Sequence, residues 1–369
     1  MTANKHNGPI ALAAGGTGGH MFPAEAVAQE LKRRGHRILL VTDARGARYA
    51  ETFPADEQFE ISAATPSVGG PLAKGAAAIS ILQGLFKARS EFKARKPVAA
   101  LGFGGYPSLP AMKAAAFLKI PYGVHEQNGV LGRANRMLVK GAAFTAHAFP
   151  ILDKCPNGVH GVEVGNPVRD AVAVHAAANY PQTDEGVRLL VFGGSQGASV
   201  FADTPVAAVA ALSEEARARL TVVHQAREAD VERVQIGYAH AGVAAEVAPF
   251  FTDLPERIAA SHLVIARSGA STVTELSTIG RPSILVPLAI AMDDHQTGNA
   301  RVLSEAGGAL LLPEGRFNAA SLEMALSTLI ANPDRLKAMA EKAKARVKSG
   351  AASAIADLVE GLVEKRLAA

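Results

Sequence analysis

Short β-branched and leucine-rich runs alternate with alanine-rich amphipathic stretches along nearly the whole chain, and one strand, glycine-loop, helix start occurs twice, about 180 residues apart. These observations predict an α/β protein built of two Rossmann-like domains, because buried parallel strands read as short apolar runs and each feeds a helix. The length, 369 residues, agrees, since domains run to roughly 100–200 residues each. Apolar residues make up 49% of the chain and charged residues 20%, which excludes an intrinsically disordered polymer. A lone cysteine, Cys155, excludes a disulfide framework and a cysteine metal cluster. The longest nearly charge-free stretches, such as Pro282–Met292, fall short of the ~18–20 residues that cross a bilayer. The N-terminal MTANKHNGPIALAAGG reaches its glycines too soon for a signal-peptide core, so a cytoplasmic location is expected.

In the first half the expected strands are Ile10–Ala13, Ile38–Thr42, Val98–Leu101, Tyr122–His125 and Ala143–Ala146. In the second they are Arg188–Phe192, Thr221–His224, Ala245–Pro249, Leu263–Ala266, Ser283–Val286 and Ala309–Leu312. A helix is expected over Pro23–Arg34, with Pro in its first turn, Val27 and Leu31 on its apolar stripe, basic residues in its last turn and Gly35 beyond. Two further helices, Arg335–Lys348 and Ala352–Leu367, follow Asn332–Pro333. The last carries Ile355, Leu358, Val359 and Leu362 at helical spacing and requires a groove. Gly165–Asn166–Pro167 marks the boundary, giving domains 1–167, with 351–369 packing back, and 168–350. Net charge divides at that boundary: residues 1–169 carry +9 and 170–369 carry −5. The first half therefore suits an anionic partner.

Glycine loops and polar strand ends supply the candidate chemistry. Gly15-Gly16-Thr17-Gly18-Gly19-His20 opens a helix, where backbone N–H groups can approach a phosphate or sugar. It has neither the Walker nor the GxGxxG spacing. His20 can serve as a general base or simply fix the loop. Gly102-Phe103-Gly104-Gly105-Tyr106-Pro107-Ser108 forms a second loop, ahead of a helix with Pro110 in its first turn. His125-Glu126-Gln127-Asn128 ends another strand on the same carboxyl edge, the usual place for a ligand in an open α/β sheet. In the second half Gly193-Gly194-Ser195-Gln196-Gly197-Ala198 repeats the arrangement. Arg267-Ser268-Gly269-Ala270-Ser271-Thr272-Val273-Thr274-Glu275 begins a helix that Ser268 or Ser271 can cap, with Glu275 placed for ribose hydroxyls or for the helix dipole. Asp293-Asp294-His295-Gln296-Thr297-Gly298-Asn299 fills a loop. Its adjacent acids are poorly spaced for one ion, so no metal is expected.

Taken in order, GGTGGH, GFGGYPS, HEQN, GNPVR, GGSQGA, RSGASTVTEL and DHQTGNA over about residues 10–300 resemble the MurG family. These bacterial enzymes transfer N-acetylglucosamine from UDP-GlcNAc to lipid I, giving lipid II for peptidoglycan. The resemblance implies a GT-B fold, two Rossmann-like domains facing a central cleft. It implies that Ala270, Ser271, Thr272, Val273, Thr274 and Glu275 hold uracil, phosphate and ribose, that Ser195 meets the diphosphate, and that Phe251 flanks the uracil. Gln296 and Asn299 would grip the hexosamine, while Thr17, Gly18, Gly19 and Asn128 line the sugar side and Arg169 reaches the donor. Gly104, Gly105 and Tyr106 would lie on the acceptor side. The implied chemistry is an inverting displacement by the muramyl 4-hydroxyl, without a metal or other cofactor, with His20 the first candidate base and Glu126 the second.

The acceptor implied is a polyprenyl diphosphate lipid, so the protein should sit peripherally on the cytoplasmic face of the inner membrane. Ile79, Leu82, Leu85 and Phe86 beside Lys87, Arg89 and Lys93 form an apolar segment with basic flanks, suited to an anionic membrane surface or, alternatively, to a core helix with a solvated face. Other cell-wall synthesis proteins are possible partners. Nucleic acid is not expected, for want of a basic groove with interleaved aromatics. A UDP-GlcNAc 2-epimerase and a non-catalytic nucleotide-sugar binder share the architecture and stay open at this point.

Overall fold

The computed structural model describes residues 8–63, 71–184, 186–194, 197–346 and 348–367. The chain divides into two units, residues 1–169 with 348–369, and residues 170–347. In the first, β1 (Ile10–Ala13), β2 (Ile38–Thr42), β3 (Glu57–Glu60), β4 (Ala99–Gly102), β5 (Tyr122–Glu126), β6 (Phe144–His147) and β7 (Gly161–Glu163) form one sheet in the order β3-β2-β1-β4-β5-β6-β7. In the second, β8 (Val187–Phe192), β9 (Leu220–Gln225), β10 (Ala244–Ala248), β11 (Leu263–Ala266), β12 (Ser283–Leu285) and β13 (Ala309–Leu311) form a sheet in the order β10-β9-β8-β11-β12-β13. All the pairings in both sheets are parallel. In each sheet the strand order reverses beside the first strand, which places the topological switch point between β1 and β4, and between β8 and β11.

Strand alternation makes the two faces of the first sheet. Ile10, Leu12, Ile38, Leu40 and Leu101 pack with Met21, Val27 and Leu31 of the Gly18–Arg33 helix. The same core takes in Ile355, Ala356, Val359 and Val363 of the Ala351–Leu367 helix. Ala11, Ala13, Leu39, Val41 and Ala100 face the opposite way, against Phe92 of the Pro71–Arg95 helix and Met112 of the Gly105–Phe117 helix. Both faces are covered, as a parallel sheet requires.

Several expectations need correction. β3 and β7 were not anticipated: Glu57–Glu60 buries one side chain and Gly161–Glu163 none, so these edge strands have no apolar run to read. Helix Gly18–Arg33 starts five residues before Pro23, and helix Gly105–Phe117 five before Pro110. Each proline is the sixth helical residue and forgoes one bond, to the carbonyl of the second. The glycine loops thus run straight into helices whose first turns lie closer to the strand ends than the prolines suggest.

Among the described residues His125 and His224 are fully buried, with no carboxylate partner. Burial pushes His125 down to about 4 despite its bond from Nε2 to the Gly165 carbonyl, 3.1 Å away. Burial does the same to His224, also about 4, whose Nδ1 lies 3.0 Å from the Tyr238 hydroxyl. Once unfolded each takes up a proton near pH 6.5, so folding stability is fully present above that pH and is lost as pH falls towards 4. The expected cost is about 2 kcal/mol per histidine between pH 6.5 and 5. Urea denaturation at pH 7 and 5 measures it, and His224→Asn, which keeps an acceptor for Tyr238, should flatten the dependence by about half.

Candidate active site

Register brings the first unit's motifs to one line. Ala13 pairs with Gly102, and Gly102 with Val124, so the loops after β1, β4 and β5 leave the sheet side by side. The first loop is tied to the end of β2 by Asp43, a buried residue that no motif marked. Asp43 Oδ1 accepts the N–H groups of Gly16 and Gly46, each at 2.9 Å, while Oδ2 accepts Arg45 Nε at 2.9 Å. Thr17 then precedes the helix in extended backbone, and its hydroxyl makes no cap bond. The first N–H groups of the helix, at Gly18 and Gly19, have no intrahelical acceptor.

His20 lies in that first turn, against the second loop. Gly104 and Gly105 have φ of +80° and +70°, in the region that side chains avoid, and a Cβ on either would stand 3.4–3.5 Å from the His20 ring. The glycine pair therefore forms the floor on which the imidazole rests. Ser108 secures this loop, its hydroxyl 2.7 Å from the carbonyl oxygens of both Ala13 and Gly104. Tyr106 follows, half-buried, at the start of the Gly105–Phe117 helix.

Glu126 has a different part from the one expected of a base. Its Oε1 accepts Asn128 N at 3.1 Å and Asn128 Nδ2 at 3.0 Å; its Oε2 accepts Gly132 N and Asn135 Nδ2, both at 2.9 Å. With 2% of the residue exposed and four donors on two oxygens, the carboxylate has no lone pair directed at a substrate hydroxyl. It braces the loop that carries Asn128, whose amide is turned inward on it. Asn135, fully buried, also donates to the His125 carbonyl, and Gln127 donates to the Phe103 carbonyl. Arg169 stacks its guanidinium 3.8 Å from the centre of the Phe22 ring, in the first helix.

The second unit repeats the logic. Ala266 pairs with both Phe192 and Leu285, so the loops after β8, β11 and β12 are aligned. Ser195 and Gln196 lie outside the described residues. Helix Ala270–Ile279 begins after Gly269, and neither expected serine caps it. Ser268 instead donates to the Gln296 carbonyl at 2.8 Å, while the Ser271 hydroxyl is buried and unbonded. The N–H groups of Ala270, Ser271 and Thr272 therefore have no intrahelical or side-chain cap acceptor. Val273 is buried, Thr274 donates back to the Ala270 carbonyl at 2.8 Å, and Glu275 is 8% exposed.

Three expected contacts are modified. Asn299 is fully buried and donates to the Ser268 carbonyl at 3.1 Å, so it holds the loop and does not face solvent. Gln296 uses its carbonyl on Leu288 N, at 3.0 Å, which leaves its amide nitrogen. Phe251 is 7% exposed with Arg257 4.0 Å over its ring, and it is Phe250 that projects, 63% exposed. Arg267, unexpected, donates to the carbonyls of Val286 and Pro287 and to Glu314 at 2.8 Å. Burial works against ionisation of Glu314, yet Arg267 and the Ala289 N–H hold its carboxyl below the usual range. Both residues lie at strand ends, but nothing in their local sequence pairs them.

On the Pro71–Arg95 helix Ile79, Leu82 and Phe86 are 58%, 52% and 65% exposed, at helical spacing on one face. Lys87 and Lys93 are exposed beside them, and Arg89 lies 5.1 Å over Phe117, which is itself 69% exposed. Leu85 is a correction: it is half-buried and packs into the core, one residue off the outward stripe. No helix among the described residues is long and apolar enough to cross a membrane.

Residues 10–146 match the glycosyltransferase family 28 N-terminal domain, and residues 188–357 the family 28 C-terminal domain. A protein of Caulobacter vibrioides, named UDP-N-acetylglucosamine--N-acetylmuramyl-(pentapeptide) pyrophosphoryl-undecaprenol N-acetylglucosamine transferase, is 49% identical over 95% of this chain and 97% of its own. The protein of that name from Rhodospirillum centenum is 47% identical over 96% and 94%. The crystal structure of Acinetobacter baumannii MurG superposes with a TM-score of 0.78 at 31% identity, covering 96% of this chain and 99% of that one. The chain belongs to the MurG family. The two sheets are accordingly the Rossmann-like halves of a GT-B fold, and the MurG motifs quoted from the sequence all lie at or beside their carboxyl edges, apart from the linking GNPVR.

Glu126→Ala should remove the acceptor of two backbone N–H groups and of the Asn128 and Asn135 amides in a buried loop. A loss of about 2–4 kcal/mol in urea denaturation is expected, with faster hydrogen exchange at Asn128 and Gly132.

Proposed function

We infer that this chain is an inverting hexosyltransferase that moves N-acetylglucosamine from UDP-GlcNAc to the muramyl 4-hydroxyl of lipid I, releasing UDP and lipid II. The observation that carries this reading is its collinearity, over almost its whole length, with transferases of that name. That relationship favours transfer over epimerisation and over binding alone.

In the reaction the 4-hydroxyl oxygen bonds to the anomeric carbon as the bond from that carbon to the β-phosphate oxygen breaks. Of the two base candidates His20 is the better, because it sits at a helix start on the glycine pair while Glu126 is fully engaged. His20 takes the hydroxyl proton; Glu126 keeps the Asn128 loop in place. In the second unit the N–H groups of Ala270, Ser271 and Thr272 and the helix dipole stabilise phosphate charge, a task suited to a helix N-terminus. Ser195 is assigned to the diphosphate, Glu275 to the ribose and the Gln296 amide nitrogen to the hexosamine. Phe251 contributes its backbone more than its covered ring. Thr17, Gly18 and Gly19 line the sugar side, Gly104, Gly105 and Tyr106 lie on the acceptor side, and Arg169 supports donor binding. The exposed stripe Ile79, Leu82 and Phe86, flanked by Lys87, Arg89 and Lys93, is assigned to an anionic bilayer, which puts the protein peripherally on the cytoplasmic face of the inner membrane.

Incubation with labelled UDP-GlcNAc and a lipid I analogue tests the reading: lipid II and UDP should appear together, and an epimerised sugar or no product would overturn it. His20→Ala should lower kcat by about 10²–10⁴-fold with little change in KM for UDP-GlcNAc. Reversing the charges of Lys87, Arg89 and Lys93 together should weaken sedimentation with anionic vesicles; unchanged sedimentation would remove the membrane assignment.

A further inference from the structure

No sequence motif marks Arg227, yet it is the cation that lies against the second unit's glycine loop. β8 and β9 are neighbours, with Val191 opposite His224, so Gly193 and Ala226 leave adjacent strands at the same level. A Cβ built on Gly197 would stand 3.0 Å from Arg227 Cγ, which places the arginine stem along the loop. The guanidinium is then aimed by a buried carboxylate. Arg227 Nε donates to Asp230 Oδ2 at 2.6 Å, and the other oxygen accepts Arg233 Nη2 at 2.7 Å. Arg233 in turn pairs with Asp203 of the helix Val200–Ala210, which follows the glycine loop. Asp230 is only 8% exposed at its side chain while Arg227 is 48% exposed.

This chain of contacts uses one nitrogen of Arg227 and fixes its direction. Nη1 and Nη2 meet no acceptor among the described residues, so the planar edge that binds phosphate oxygens in pairs is presented beside the loop. Arg267, at the next strand end, has its charge met by Glu314. We propose that Arg227 binds the donor's diphosphate, neutralising its charge in the bound sugar nucleotide and more strongly as UDP departs, and that Asp230 is the residue that positions it. The proposal rests on the reading of the second unit as the UDP-GlcNAc site.

Titration calorimetry of the full chain with UDP and with uridine separates the possibilities. Arg227→Ala should weaken UDP binding by about 10–100-fold, the scale of a lost charge-assisted hydrogen bond, and leave uridine binding within about twofold. Arg227→Lys should recover part of the loss, since it retains charge without the fork. Asp230→Asn should reduce the preference for UDP over uridine in the same direction but less. Unchanged UDP affinity in Arg227→Ala, or equal losses for UDP and uridine, would overturn the proposal. Failure of the unsubstituted chain to bind UDP would instead overturn the donor-site reading beneath it.

Discussion

The parallel registers of the two sheets are the constraint on which the rest depends. Parallel strands all have their carboxyl ends on one edge of the sheet, and a helix that follows at once starts with unpaired N–H groups near that edge. Because Ala13, Gly102 and Val124 lie abreast, three loops from distant parts of the chain emerge together. A slip of one residue would turn Leu12 to the opposite face, into space that Ala11 and Ala13 now fill against Phe92 and Met112. The core thereby enforces the position of the loops, and the hydrophobic effect does indirectly what no single polar contact could do.

What the core leaves undone is completed by buried polar residues that do not themselves react. Asp43, Glu126, Asn135, Asn299, Arg267 and Asp230 each hold a loop or a side chain at a strand end by accepting or donating several bonds. A carboxylate with four donors is costly to remove and has no lone pair left for a substrate, which is why burial and saturation separate bracing residues from reacting ones. By that criterion the groups proposed to act on substrate are His20, beside the Gly104–Gly105 pair in a first helical turn, and the N–H groups of Ala270, Ser271 and Thr272.

The strands with continuous apolar runs were legible to within a residue or so, and the glycine loops marked the carboxyl ends of β1, β4 and β8. Edge strands Glu57–Glu60 and Gly161–Glu163 were not, because an edge pairs on one side and needs little apolar surface. The prolines misled about helix starts, since a sixth-position proline sacrifices one bond and a first-position proline none. Roles within the site were least legible. Glu126 and Asn299 look like ligands in a motif, and only their partners, up to 31 residues away, show them turned inward. Arg227 escaped for the converse reason, as its neighbour Gly197 lies on another strand's loop.

The helix Ala351–Leu367 belongs to the core that contains Ile10 and Leu12, although some 180 residues of the second unit intervene. During synthesis, therefore, the first sheet can assemble against the Gly18–Arg33 helix but cannot finish burying that face until the second unit has been made. The second unit, continuous in the chain, has no such delay. Its folding brings residues 169 and 348 to fixed positions and so shortens the loop that the final helix must close, lowering the entropic cost of the last step. The order of assembly thus runs opposite to the order of the sequence: the unit made second is the first that can be completed.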